Sequence, residues 1–228
     1  MLTPRLQAIA EMIPQGASLA DIGTDHGYLP IALLKEAQIP FAIAADINEK
    51  PLASARKNTG EACLDKMQFR LGNGIEPIEP GEVDLVVIAG MGGELISEIL
   101  SADWEKTRSI PTYILQPMVK VPVLRKFLHE NHFRILDEEL VREGKKFYQI
   151  IKVVHGEEND FNPIYEEIGP VILRKSGPVL QEYLDFRIER IEIIQAQLRG
   201  CLESKKNEIL LWEKKKHEFL EVKDNVGK

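Results

Sequence analysis

The chain has 228 residues, of which 44% are hydrophobic and 29% are charged, so it can bury a sizeable core and is not an intrinsically disordered protein. The formal net charge of −7 argues against a nucleic-acid partner, because nucleic-acid binding usually rests on clustered Lys and Arg side chains. Two cysteines, Cys63 and Cys201, are too few for a disulfide framework or a zinc site of the Cys-x-x-Cys type.

Short apolar and β-branched runs alternate with helical stretches over the first 155 residues, which is typical of a doubly wound parallel sheet. The predicted strands are residues 17–22, 39–46, 67–71, 83–88 and 111–116. The predicted helices are residues 28–37, 50–63, 93–100 and 121–131. Near-continuous apolar runs such as LVVIA are expected of strands that are covered by helices on both faces.

Residues 132–142 and 146–155 are two longer predicted strands, separated by the turn sequence EGKK. Five parallel strands that end in an antiparallel hairpin are the architecture of class I methyltransferases. We therefore expect an α/β, Rossmann-like fold of that class.

The C-terminal part of the chain has a different pattern. The polar segment 157–163, EENDFNP, predicts a boundary between a catalytic domain, 1–156, and a C-terminal helical domain, 157–228. Apolar residues recur every three or four positions over 180–202, which is close to the heptad of a coiled coil. A second helical stretch, 209–220, follows a polar interval, so either an antiparallel helical hairpin or one long helix is expected. Residues 174–228 carry a net charge of +2, against −9 for the residues before them.

Residues 21–30, DIGTDHGYLP, follow the first strand directly. Glycines at a strand-to-helix turn allow a ligand to approach the main chain. A dinucleotide site would have G-x-G-x-x-G, but Asp25 stands where the second glycine would be and would repel a diphosphate. Carboxylates at Asp21 and Asp25 suit a ligand with ammonium and sulfonium groups, and we predict S-adenosylmethionine.

Further polar or glycine-rich segments follow the later strands. Asp46 is a candidate for the ribose hydroxyls, or a solvated strand end. The turn Gly72-Asn73-Gly74 contacts the cofactor adenine or is only a tight turn. The glycines of AGMGG, residues 89–93, predict a crevice where substrate and cofactor meet. Gln116, before Pro117, is a candidate for orienting the methyl acceptor, or an ordinary strand end.

Three other features have two interpretations each. His26 is a base or a hydrogen-bonding scaffold, and we favour a binding role. Tyr28 belongs to the core or lines the site. The run Lys214–Lys216, with Lys205 and Lys206, contacts phosphates or is a solvated helix face.

In the strings DIGTDHGYLP, GNG, DLVVIAGMGG and LQP, the chain resembles the TrmK family, bacterial tRNA methyltransferases that modify N1 of adenine 22. The resemblance implies S-adenosylmethionine as cofactor and a folded tRNA as substrate. The matching positions are expected to contact the methionine end, the ribose, the adenine and the transferred methyl of the cofactor. They are Asp21, Gly23, Asp25, His26, Gly27, Asp46, Asn73, Gly74, Ala89, Gly90, Met91 and Gly92. The chain departs from the expected G-D-G after the third strand, because Asn73 replaces the aspartate.

Methylation of adenine N1 needs no strong base, because this nitrogen has an in-plane lone pair. Asp25 and Gln116 are the candidate catalytic residues, Asp25 by favouring the developing cation. We expect a cytoplasmic enzyme without metal or membrane contact, either monomeric or self-associating through its C-terminal helices. The competing hypotheses are a small-molecule methyltransferase and a non-catalytic binding module that keeps the cofactor fold. A nicotinamide dehydrogenase fits less well because of Asp25.

Overall fold

A computed structural model describes residues 2–157, 162–198 and 205–226. Its central feature is a seven-stranded sheet with the order β3-β2-β1-β4-β5-β7-β6. The strands are β1 Leu19–Ile22, β2 Ala42–Asp46, β3 Met67–Leu71, β4 Leu85–Gly92, β5 Thr112–Val119, β6 Phe133–Glu143 and β7 Lys146–His155. The first five pair in parallel, and β7 runs antiparallel to both β5 and β6. The predicted Rossmann-like methyltransferase fold is confirmed.

Helices cover both faces of this sheet. In β4, Val86 and Ile88 belong to one apolar cluster, whereas Leu85 and Val87 belong to the other, and all four side chains are buried. The helices of this part are α1 Pro4–Glu11, α2 Tyr28–Lys35, α3 Glu49–Thr59, α4 Gly93–Ser101, α5 Trp104–Ser109 and α6 Val121–Glu130. Two 3-10 helices span Glu61–Lys66 and Pro163–Glu166. The alternation in β4 explains why its sequence is continuously apolar.

Strands β4 and β5 are longer than predicted. The glycine-rich residues 89–92 continue β4 and pair with β5 as far as Val119, with register irregularities between Ala89 and Gly92. The prediction that β4 ends at residue 88 and is followed by a glycine loop was therefore wrong. The residues of β5 supply backbone partners to this bulged extension, and the bulge allows the glycines to remain in the sheet.

Helix α1 lies close to β6, β7 and α2, so the first residues of the chain reach the sheet. Thr3 caps the helix by accepting a hydrogen bond from the backbone N–H of Leu6, and Pro4 occupies the first turn. Ile9 is fully buried. The chain is thereby anchored at its start, which fixes the position of Arg5 near the site described below.

The chain divides into two compact units, residues 1–167 and 168–228. The second contains α7 Pro170–Lys175, α8 Pro178–Leu198 and α9 Lys206–Asn225. The predicted boundary after residue 156 stays a prediction, and residues 158–161 of the polar segment lie outside the described residues. In the parts of the chain that the structure describes, no helix has both the length and the apolar character needed to cross a membrane.

Within the second unit, the start of α8 contacts the end of α9 and the residue after it, and Lys223 pairs with Asp185. The Gln181 side chain donates to the Val226 carbonyl at 2.9 Å, and the Lys216 ammonium lies 2.7 Å from the Glu192 carboxylate. The two helices thus form an antiparallel hairpin, and the alternative of one long helix was wrong. Residues 199–204, which include Leu202 and part of the predicted polar interval, lie outside the described residues. The coiled coil stays a prediction.

Candidate cofactor and substrate site

The turn between β1 and α2 is made of residues in uncommon backbone conformations. Gly23, Asp25 and Gly27 have φ angles of +74°, +47° and +70°. The backbone N–H groups of Gly23 and Thr24 donate to the carbonyl of Ala45 at 2.8 and 3.2 Å, which ties the turn to β2. A turn at the carboxyl edge of a parallel sheet, held in this way, is the usual position of a ligand crevice.

Asp21 is a buried carboxyl group at the end of this sheet. Thr24 Oγ1 donates a hydrogen bond to Asp21 Oδ2 at 2.7 Å. Burial raises the pKa of Asp21 to about 6; the hydrogen bond from Thr24 opposes this rise, and the negative charge of Asp46 adds to it. Burial opposes the ionisation of Asp21, whereas a cation beside it would favour the ionised carboxylate. The site therefore suits a cationic ligand.

Asp25 and His26 lie at the exposed side of the turn. His26 Nε2 is 3.5 Å from Asp25 Oδ1, and the His26 ring lies 5.3 Å from the Tyr28 ring, measured between centroids. Asn58 donates its side-chain amide to the His26 carbonyl at 3.1 Å. The Tyr28 ring is largely exposed, and the favoured binding role of His26 stays a prediction.

A cavity of about 390 Å³ opens beside this turn. It is bounded by α1, by the turn, and by the ends of β4 and β5. Its lining residues are Thr3, Arg5, Leu6, Asp21, Gly23, Thr24, Asp25, Tyr28, Leu29, Ala89, Gly90 and Met118. Among the described residues of this lining, Arg5 is the one cationic residue, and Asp21 and Asp25 are the two anionic residues.

Sequence reasoning missed Arg5. Its partner in the structure is Gln116, which lies 111 residues away along the chain. Neither the composition of the N-terminal segment nor its helical pattern indicates such a contact. The motifs that resemble the TrmK family do not include this segment.

Gln116 is a buried residue of β5, and both the oxygen and the nitrogen of its side-chain amide form hydrogen bonds. Its Oε1 accepts hydrogen bonds from Arg5 Nη1 at 2.5 Å and from the Gly90 backbone N–H at 3.1 Å. Its Nε2 donates to the Pro117 carbonyl at 2.9 Å. These bonds favour a positioning role for Gln116 over the predicted contact with the methyl acceptor.

The end of β4 lies against the Asp21 turn. Gly90 has φ +82°, a conformation that side chains disfavour, at the bulge that brings its N–H to Gln116. Ala89 and Gly90 line the cavity, and the Met91 thioether packs against Gly23. Gly92 is close to Val119 of β5. The structure therefore brings the predicted residues 89–92 next to the predicted turn.

Asp46, Asn73 and Gly74 lie farther along the same edge. Asp46 Oδ1 accepts from the backbone N–H of Asn48 at 2.8 Å. Asn73 and Gly74 line a separate cavity of about 500 Å³, together with Glu76, Leu95, Glu98, Ile99 and Lys106 among others. The structure thus gathers the predicted adenine contacts at a second cavity rather than at the Asp21 cavity.

The lysines of α9 have acidic neighbours. Lys216 pairs with Glu192, and Lys214 lies 3.7 Å from Glu218. Such surface pairs contribute little stability, about 1 kcal/mol or less, and they do not prevent phosphate contacts. Within the described residues, no group of three or more His, Cys, Asp or Glu side chains is arranged to hold a metal ion.

The chain is similar to known methyltransferases in both sequence and structure. Residues 2–151 match the family model described as a methyltransferase domain. The tRNA (adenine(22)-N(1))-methyltransferase of Bacillus subtilis is 32% identical over 215 residues, which are 90% of this chain and 89% of the relative.

Two solved structures of such proteins are also similar. A candidate tRNA (m1A22) methyltransferase of Streptococcus pneumoniae, in complex with S-adenosyl-L-methionine, superposes with a TM-score of 0.87 at 33% identity, covering 98% of this chain and 100% of that one. TrmK of M. capricolum, in complex with S-adenosyl-homocysteine, superposes with a TM-score of 0.84 at 29% identity, covering 99% of each chain.

Proposed function

The chain belongs to the family of tRNA (adenine(22)-N(1))-methyltransferases, and on that premise we propose that it methylates N1 of adenine 22 in tRNA with S-adenosylmethionine as the methyl donor. The observation that carries the proposal is the similarity to such enzymes over nearly the whole chain. The acidic, glycine-rich cavity at the carboxyl edge of the sheet supports it independently.

The lining of the cavity fits the proposed cofactor. Bound S-adenosylmethionine supplies a methyl group on a positively charged sulfur and leaves as the neutral thioether, so the positive charge passes to the methylated adenine. Asp21 and Asp25 place carboxylates where a cation would be stabilised. We assign to cofactor binding the turn residues Asp21, Gly23, Asp25, His26 and Gly27, with Asp46, Asn73, Gly74 and residues 89–92.

The site contains few groups that transfer protons, and this agrees with the reaction. Adenine N1 attacks through its own lone pair, so its methylation requires no proton removal in the reactive step. The work of the protein is then to hold the nucleotide and the donor in line and to exclude water. Asp25 is proposed to favour the cation that develops on the adenine, since its carboxylate lines the cavity.

We propose that the helical hairpin of the second unit helps to hold the tRNA, because residues 174–228 are the net basic part of the chain. The target base must leave its stack to reach a buried donor, at a cost of a few kcal/mol, and contacts to the tRNA body would offset that cost. We also propose that the enzyme acts in the cytoplasm, where a tRNA substrate would be met, and that it works without a metal ion. The predicted domain roles, 1–156 for catalysis and 157–228 for the helical region, remain part of this proposal.

The test is incubation of unmodified tRNA with the purified protein and S-adenosylmethionine labelled in the methyl group, followed by nuclease mapping of the labelled nucleoside. We expect 1-methyladenosine at position 22. Label at another nucleoside would overturn the assignment of the acceptor. Transfer to a small molecule but not to tRNA would favour a small-molecule enzyme, and binding of the donor without any transfer would favour a non-catalytic module.

A further inference from the structure

Arg5 is the cationic residue of a cavity whose other charged lining residues are acidic. We propose that Arg5 binds the carboxylate at the amino-acid end of the cofactor and that Gln116 positions Arg5 for this contact. The inference rests on the proposed function, because it names a residue for one end of the proposed methyl donor. It adds to the site a residue of the N-terminal helix.

One hydrogen bond orients the guanidinium group of Arg5 and uses one of its N–H groups. Its Nη1 donates to Gln116 Oε1 at 2.5 Å, and its Cζ lies 5.6 Å from the centre of the Tyr148 ring. Among the residues that the structure describes, no other hydrogen bond is made by the Arg5 side chain. An arginine has five N–H donors in a planar fork, so donors remain for a planar, bidentate acceptor such as a carboxylate.

The charges around the cavity suit a zwitterion. An α-amino acid end has one ammonium group and one carboxylate, and the cavity offers carboxylates at Asp21 and Asp25 as well as the guanidinium of Arg5. A phosphodiester of the target nucleotide has no positive charge of its own, so the two aspartates would repel it. The arrangement therefore favours the cofactor over the tRNA backbone as the source of the anionic group.

Gln116 connects this cation to the glycine-rich end of β4. Its Oε1 is shared by Arg5 Nη1 and the Gly90 N–H, and its Nε2 is held by the Pro117 carbonyl. The amide is buried, so its orientation is fixed by these bonds. A side chain without an acceptor at position 116 would release Arg5 while leaving its charge intact.

The experiment compares two ligands that differ only in the carboxylate, S-adenosylmethionine and decarboxylated S-adenosylmethionine, by calorimetric titration of the full chain. For Arg5→Met we expect affinity for S-adenosylmethionine to fall by about tenfold to a hundredfold, and affinity for the decarboxylated analogue to be unchanged. Arg5→Lys should recover part of the loss. The matched control is Arg134→Met, an exposed arginine of edge strand β6, which should alter neither affinity.

The positioning role of Gln116 has its own variants. Gln116→Leu should lose part of the preference for the carboxylated ligand, whereas Gln116→Glu retains an acceptor for Arg5 and should keep that preference. Equal loss for both ligands in Arg5→Met, or no loss, would overturn the proposal. Weaker tRNA binding with unchanged cofactor affinity would overturn it in favour of a phosphate ligand. Wild-type protein that binds neither ligand would instead refute the proposed function.

Discussion

The thioether of Met91 fills the space beside Gly23. A Cβ atom at position 23 would lie 2.2 Å from Met91 Cε, far inside van der Waals contact. Gly23 also has φ +74°, so a side chain at position 23 would strain the backbone and would displace the terminal methyl group of Met91. The contact joins the turn after β1 to the bulged end of β4, which are the two segments proposed to hold the cofactor.

The first prediction is that Gly23→Ala destabilises the fold by about 1–3 kcal/mol in urea denaturation, from backbone strain and from the clash. Gly16→Ala is the matched control, because Gly16 has φ +83° with open space around its Cβ position and so reports the strain alone. In the Met91→Ala background the clash is absent, so Gly23→Ala should reduce the free energy of unfolding by less there than it does in the wild-type protein. Equal losses for Gly23→Ala and Gly16→Ala would show that Met91 moves aside freely.

The sequence predicted the fold well because the spacing of apolar residues and the order of the helices and strands can be seen in short segments. Continuous apolar strands, helical spacing and the EGKK turn are each visible within a few residues. The strand extension at Gly90 was not predictable in this way, because it depends on backbone partners in β5, which come from a distant part of the chain.

The candidate site was also only partly predictable from short segments of the sequence. Asp21, Gly23 and Asp25 lie within five consecutive residues and share one turn, so their spacing alone indicates a ligand-binding turn. Arg5 reaches that turn only through the folding of α1 against the sheet. The separation of Asn73 from the Asp21 cavity likewise depends on the packing around α4, which no short motif encodes.

The second prediction concerns the stability cost of Asp21. Its pKa is raised to about 6, so between its ordinary value of 3.8 and about 6 the folded state holds a proton that the unfolded state has lost. Stability therefore falls as the pH rises through this window, and the deficit is complete above it. Asp21→Asn should stabilise the ligand-free protein by about 1–3 kcal/mol at pH 8 and hardly at all at pH 4, measured by urea denaturation.

Asp84 provides a control of opposite sign. Its carboxylate accepts from the backbone N–H and the hydroxyl of Ser18, both at 2.7 Å, and these bonds lower its pKa. The stability it contributes is present above its ordinary pKa and is lost as the pH falls through the lowered value. Asp84→Asn should therefore destabilise the protein at pH 8. If Asp21→Asn also destabilises it at that pH, the burial argument for Asp21 is wrong.

The third prediction is that affinity for S-adenosylmethionine falls as the pH drops through about 6. A cationic ligand is stabilised by ionised Asp21, so the proton must leave before the charges can compensate. At pH values well below the pKa of Asp21, the affinity for S-adenosylmethionine should fall by about tenfold per pH unit. Calorimetry in buffers of different ionisation enthalpy should also detect proton release at pH 5.

The control separates Asp21 from His26, which belongs to the same turn. His26→Gln should keep the pH dependence, and Asp21→Asn should remove it. A slope that disappears in His26→Gln and persists in Asp21→Asn would assign the effect to the histidine.

The fourth prediction tests the contact of α9 with tRNA. Lys206 and Lys214 are exposed, and neither belongs to the ion pairs that join α8 to α9. Lys206→Gln/Lys214→Gln should weaken tRNA binding and reduce the slope of log K against log salt by about 1–2, with unchanged affinity for S-adenosylmethionine. Lys57→Gln/Lys66→Gln, two exposed lysines of the first unit, is the matched control. An unaltered salt slope in the α9 variant would exclude these lysines from the interface.

The fifth prediction concerns a buried ion pair between α6 and β6. Arg125 and Glu138 have side chains that are 2% and 0% exposed, and they form a salt bridge. Arg125 also donates to Gln149 Oε1 from Nε and Nη2, at 3.1 and 2.7 Å, and Gln149 Nε2 donates to the Glu167 carbonyl at 2.8 Å. The network therefore ties the last residues of the first unit to its sheet.

Arg125→Met should reduce the free energy of unfolding by about 3–5 kcal/mol, because it removes one partner of a buried ion pair and the hydrogen bonds that Arg125 donates to Gln149. Arg125→Met/Glu138→Leu removes both charges and should recover much of this loss in urea denaturation. Lys126→Met is the matched control: it breaks the exposed pair of Lys126 and Glu130 on the same helix and should cost about 1 kcal/mol or less. A double variant that is less stable than Arg125→Met alone would show that packing, not the loss of the Arg125–Glu138 charge pair, determines the cost at this position.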